Sequence, residues 1–227
     1  MTGSIVPKPL QGVICDMDGL LLDTEAAHAK TMKPAAADLG YKLTDEIFLR
    51  MVGVDRPHNK AMLRQEFGPD FPLDAFYRNS DQSFDALVRS GMLLRPGVHQ
   101  LLDVFDELGV RRAVATSTAR APAQERLRFS GVLERFQHVV GLDDVVRPKP
   151  APDCYLKAAE LLGADPAHCL ALEDSHNGVR AAAAAGCATV MVPDLLPATP
   201  EMTSLTVAVL PSLADVAELL LNQSHSA

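Results

Sequence analysis

The chain has 227 residues, of which 48% are hydrophobic, and a formal charge of −8. That length suits one large domain or a domain with a smaller insert, and that apolar content excludes a disordered chain. The acidic balance argues against a nucleic-acid or anionic-membrane partner, and no stretch approaches the ~20 apolar residues of a membrane span.

The opening residues, MTGSIVPKPLQ, lack the long apolar run of a signal peptide. Gly12 to Cys15 then reads as a buried strand that ends on Asp16-Met17-Asp18-Gly19. From there to Pro96 the spacing is helical: Ala26 to Leu39, Asp45 to Met51, Pro57 to Phe67 and Leu73 to Arg89, with no convincing strand between them. This predicts an all-helical insert over residues 23–94, joined through linkers Leu22 to Thr24 and Leu93 to Arg95. Pro34 falls inside the first helix, where a kink or break is expected. Residues 1–22 and 95–227 form the other domain. After Pro96, helices alternate with short apolar strands at 112–116, 138–141, 169–173, 188–192 and 206–210, and a glycine closes most of the helices. Ser212 suits the cap of a final helix, Leu213 to Leu221, and the polar residues after it read as frayed. The fold class is α/β: a doubly wound, Rossmann-like parallel sheet with an inserted helical domain.

Cys15, Cys154, Cys169 and Cys187 are widely spaced and form no metal pattern. They read as buried thiols of a reduced, cytoplasmic protein. With no coiled-coil or exposed-edge signal, a monomer is expected.

Four strand ends carry a coherent set of side chains. The first offers Asp16 and Asp18, the second Thr116, Ser117 and Thr118. Lys149 follows, between prolines, and then Glu173-Asp174-Ser175. In a parallel sheet these ends share one edge. Singly, each also fits a turn or a helix cap. Together they suit attack on a phosphate ester. A carboxylate nucleophile needs a positive surround, which Lys149 and a divalent cation such as Mg²⁺ would supply. Thr116 and Ser117 can donate to phosphate oxygens, Glu173 and Asp174 add ligands for the cation, and Asp18 can pass a proton to the leaving alkoxide and later take one from water.

DMDGLLLDTE, ATST, RPKPAPD and LEDSHNGVRAAAAAG resemble, in order, the four motifs of the haloacid dehalogenase superfamily. The helical insert resembles the small cap of the subfamily that holds β-phosphoglucomutase and many sugar-phosphate phosphatases. The resemblance implies that Asp16 is the nucleophile and Asp18 the general acid/base. Mg²⁺ would be held by Asp16, the Asp18 carbonyl and Asp174, with Glu173 either direct or through water, and Thr116, Ser117 and Lys149 would grip the phosphoryl group. Thr24, His28 and Arg56 match cap positions that face substrate. The implied activity is Mg²⁺-dependent hydrolysis of a small phosphorylated metabolite such as a sugar phosphate, with a sugar-phosphate mutase as the alternative. The segment Gln82 to Val88 lacks the cap lysine expected of a mutase.

Overall fold

A computed structural model describes residues 5–52, 54, 56–91 and 94–224. Gly53, Asp55 and the linker residue Leu93 lie outside them. The described residues fall into two compact units, an α/β unit and a helical unit that begins at Asp23.

The α/β unit is a six-stranded, wholly parallel sheet. Its strands are β1 (Gly12–Cys15), β2 (Arg112–Ala115), β3 (His138–Val140), β4 (Cys169–Glu173), β5 (Ala188–Met191) and β6 (Ala208–Val209), in the spatial order β3-β2-β1-β4-β5-β6. Strands β1, β2 and β4 are buried along their whole length, as a sheet covered on both faces requires. Ile14, Ala113, Ala115 and Ala171 pack with Tyr155, Ala158, Ala181 and Ala182 in one apolar cluster. Successive side chains alternate between faces, so Val13, Val114, Leu170 and Leu172 point to the other side. The clustered helical residues belong to α7 (Asp153–Leu162) and α8 (His176–Ala184). Helices α5 (Val98–Glu107) and α10 (Leu213–Ser224) pack on each other, and α6 (Arg120–Phe129) follows β2. Strand order reverses between β1 and β4, and their carboxyl ends flank the crevice where doubly wound sheets bind ligands.

The sequence reading changes at three points in the α/β unit. Residues 222–224, read as frayed, continue α10. A helix not expected from the sequence, α9 (Pro200–Leu205), starts where the Thr199 hydroxyl accepts from Met202 N at 3.3 Å, with proline in the first turn. The late strand is two residues long. Ser212 does cap α10, accepting from Asp215 N at 3.3 Å.

The helical unit contains α1 (Thr24–Ala37), α2 (Asp45–Met51), α3 (Arg56–Phe67) and α4 (Leu73–Arg89). Ala36, Ile47, Phe48, Leu63, Phe71 and Phe76 belong to its apolar core. Helix α1 is not broken at Pro34. The proline lies in the last turn, its own carbonyl still accepts from Asp38 N at 2.9 Å, and α1 is packed against α4. One missing hydrogen bond near a helix end is outweighed by that packing. Among the described residues no helix is long and apolar enough to cross a membrane.

Candidate active site

Asp16 stands one residue past β1. Its N–H donates to Leu172 O at 2.9 Å, so the β1–β4 pairing fixes its backbone beside the end of β4. Its side chain is buried, and Oδ1 lies 2.6 Å from Lys149 Nζ. That ammonium has three protons and three close acceptors: Asp16 Oδ1, Glu173 Oε1 at 2.5 Å and Ala115 O at 3.0 Å. Lys149 thus joins the ends of β1, β2 and β4.

Glu173 is fully buried with both oxygens occupied. Oε1 accepts from Lys149 and from the Tyr155 hydroxyl at 2.8 Å. Oε2 accepts from Asp174 N, Ser175 N and Ser175 Oγ, each at 3.0 Å. Asp174 differs: its Oδ1 is buried and has no hydrogen-bond partner. Two glycines make room for these acids. A Cβ on Gly178 would overlap the Glu173 carboxylate, and one on Gly19, whose φ is +89°, would overlap Asp174 Oδ2.

Asp16, Glu173 and Asp174 each place a carboxylate oxygen within 4.8 Å of the others. Burial lifts the Asp16 carboxyl to about 8, against the pull of Lys149 and with the push of Glu173 and Asp18. Burial, reinforced by Asp16 and Glu173, likewise holds Asp174 well above the ordinary carboxylate range. An orphaned buried carboxylate oxygen, crowded by like charges in an all-oxygen set, fits a hard divalent cation such as Mg²⁺.

Asp18 faces β2. Its Oδ2 accepts from Thr118 Oγ1 at 2.7 Å and Thr116 Oγ1 at 3.3 Å, while Oδ1 accepts from Arg126 Nη1 at 2.9 Å. Thr116 Oγ1 also accepts from Thr118 N at 3.1 Å. Ser117 is exposed. Asp16, Asp18, Thr116, Lys149, Glu173 and Asp174 therefore come together in the α/β unit. Thr24, His28 and Arg56 lie in the helical unit. Thr24 is buried at the start of α1 with an unpartnered hydroxyl. The His28 ring stacks on Phe84 with centroids 4.3 Å apart. Arg56 makes two hydrogen bonds to Asp81, at 2.8 and 2.7 Å. His28 and Arg56 line a cavity of about 220 Å³ with Glu25, Asn59 and Tyr77.

Sequence reasoning missed contacts made by Tyr155 and Arg126 and gave Thr118 no role. Tyr155 follows the Lys-Pro-x-Pro-Asp run by two residues, which was the available signal. Arg126 had none, being one of three arginines on an ordinary polar helix.

A doubly wound sheet with a carboxylate pair, a lysine and a second acidic pair at its switch point defines a phosphoryl-handling α/β enzyme. A family profile described as haloacid dehalogenase-like hydrolase matches residues 10–186. The chain belongs to that family, as an enzyme of its phosphatase kind. It is 30% identical to a phosphorylated carbohydrates phosphatase of Thermotoga maritima over 78% of this chain and 82% of that protein. It is 32% identical to the fructose-1-phosphate phosphatase YqaB of Escherichia coli over 80% and 95% of the two chains. Among solved structures, CbbY from Rhodobacter sphaeroides in complex with phosphate superposes with a TM-score of 0.74 at 28% identity, over 91% of this chain and 96% of that one.

Proposed function

We propose that this protein is a Mg²⁺-dependent phosphatase that hydrolyses small phosphorylated carbohydrates through an aspartyl-phosphate on Asp16. The observation that carries this reading is the buried Asp16 carboxylate, held by Lys149 beside an Asp174 oxygen that no protein group satisfies.

In the first half-reaction an Asp16 oxygen bonds to phosphorus and the ester P–O bond breaks. The leaving alkoxide takes a proton from Asp18. In the second, water bonds to phosphorus, gives its proton to Asp18, and the bond to Asp16 breaks. Lys149, Thr116 and Ser117 hold the phosphoryl oxygens, Lys149 as a point charge and the hydroxyls as donors. Asp16, Asp174 and the Asp18 carbonyl would hold Mg²⁺, with Glu173, whose two oxygens already accept from protein donors, reaching it through water. Bound there, the ion would neutralise charge between the nucleophile and the phosphoryl oxygens. Thr24, His28 and Arg56 select the alcohol portion of the substrate. The carbohydrate class is supported by the names of the two phosphatase relatives. The mutase alternative is not favoured, because those relatives are phosphatases and Gln82 to Val88 has no lysine.

The test is phosphate release from a panel of sugar, polyol and nucleotide monophosphates. Release with Mg²⁺, silence with EDTA and silence of Asp16→Asn are expected. Turnover unaffected by chelation, or substantial turnover by Asp16→Asn, would overturn the assignment.

A further inference from the structure

Asp18 is followed by Gly19, and its side chain keeps about a quarter of its surface exposed, so its backbone alone does not fix where its carboxylate points. Three side-chain donors do. Thr116 and Thr118 come from the end of β2, and Arg126 reaches across from α6. Arg126 Nη1 touches both Asp18 Oδ1 and Thr118 Oγ1, the latter at 3.2 Å, so one guanidinium ties the acid to the hydroxyl that also holds it. The Arg126 side chain is 18% exposed, more enclosed than Arg56 or Arg120 in their ion pairs. A largely enclosed, charge-assisted contact constrains geometry more than a solvated surface pair does.

We propose that Arg126 is a positioning residue for hydrolysis, acting through Asp18. It fixes the Asp18 carboxylate beside Thr116, so that the group that passes the proton in both half-reactions starts from one place. This rests on the reading of Asp18 as the general acid/base given above. Misplacement of a reacting group by about 1 Å can cost ~10²-fold in rate, so the effect falls on kcat rather than on substrate binding.

The test compares Arg126→Met, Arg126→Lys and Thr118→Val with the wild type on fructose 1-phosphate. It repeats the first substitution in an Asp18→Asn background, and the wild type, both single variants and the double variant are all read with p-nitrophenyl phosphate as well, whose leaving group departs without a proton, so that the cycle is closed on one substrate. Arg126→Met is expected to lower kcat by about tenfold or more with KM within about threefold, Arg126→Lys to recover part of it, and Thr118→Val to give a smaller loss. In the Asp18→Asn background Arg126→Met should cost nothing further, because the group it positions is gone. An equal loss in both backgrounds, or a wild-type kcat in Arg126→Met, would overturn the proposal. If Arg126→Met does not fold, the same cycle with Arg126→Lys and Thr118→Val decides. A crystal structure of the variant reads the position of the Asp18 carboxylate without turnover. An Asp18 still seated on Thr118 sinks the positioning role, whereas absence of phosphatase activity in the wild type sinks only the functional reading.

Discussion

Lys149 Nζ lies 2.6 Å from Asp16 Oδ1 and is shared with Glu173 Oε1 at 2.5 Å, inside a site where all three side chains are nearly or wholly buried. The three groups carry one positive and two negative formal charges, so removal of the lysine leaves two buried carboxylates facing each other. Breaking a buried pair by deleting one partner typically costs about 3–5 kcal/mol. Lys149→Met is expected to lose activity and melt well below the wild type in EDTA, with part of the melting loss recovered by Mg²⁺. A calorimetric scan with and without the ion checks this.

The same crowding gives the metal-free protein a defined response to pH. An Asp in the unfolded chain titrates near 3.9. Folded Asp16 titrates at about 8 and Asp174 well above its ordinary range. Between those values the folded state holds protons that the unfolded state has released. The stability these groups contribute is therefore present below about pH 4 and lost as pH rises toward 8. Binding of Mg²⁺ displaces those protons and is favoured at the alkaline end. The rise in melting temperature on adding Mg²⁺ to EDTA-treated protein should be larger at pH 8 than at pH 5. An equal rise at both would contradict the assignment of these carboxylates as ligands.

Tyr155 offers a cleaner cut, because removing its hydroxyl leaves the ring in the α7 core. Its oxygen donates to Glu173 Oε1 at 2.8 Å, and its ring centroid lies 4.9 Å from Lys149 Nζ. Tyr155→Phe keeps the ring contact and deletes the donor. A hydrogen bond to a charged group contributes about 1.5–3 kcal/mol, which sets the expected loss in a denaturant titration. Turnover should fall while the enzyme stays folded, since Glu173 keeps Lys149 as a partner.

Gly178 shows how much of the site was legible and where legibility stopped. The Glu-Asp-Ser-x-x-Gly pattern at a strand end already marked a helix cap, and Ser175 Oγ does accept from Gly178 N at 3.1 Å. The pattern gave no sign that the Glu173 carboxylate folds back into the space over Gly178. Short apolar runs and glycine stops located β1 to β5 because each strand is buried on both faces and each helix has one apolar side. The motif residues fell at strand ends for the same reason. Arg126 was not legible, because it meets the site only through packing between elements distant in sequence, whereas Tyr155 stood two residues past the Lys-Pro-x-Pro-Asp run and only its bond to Glu173 needed the fold to bring α7 beside β4. Gly178→Ala has no backbone strain to blame, only overlap. It should cost more than the ~1 kcal/mol or less that a glycine-to-alanine change within a helix normally gains, reversing the sign, and it should lower activity with it. A melting temperature equal to or above the wild type would show that Glu173 can move aside freely.

Arg56 separates a substrate role from a structural one. Its two nitrogens donate to Asp81 at 2.8 and 2.7 Å, with both side chains about half exposed, and its guanidinium carbon lies 4.5 Å from the Tyr77 ring centroid. An exposed pair of this kind contributes about 0–1 kcal/mol, so Arg56→Ala should barely change the melting temperature. If Arg56 contacts the alcohol portion of the substrate, the variant should raise KM for its best phosphorylated carbohydrate while leaving p-nitrophenyl phosphate hydrolysis near the wild-type rate. The chemistry of the α/β unit is common to both substrates, and only the first asks for recognition of hydroxyl groups. Equal effects on the two would move Arg56 out of substrate recognition. In the same assay, β-glucose 1-phosphate with a trace of the bisphosphate should yield inorganic phosphate faster than glucose 6-phosphate, because Gln82 to Val88 offers no lysine to hold a second phosphate.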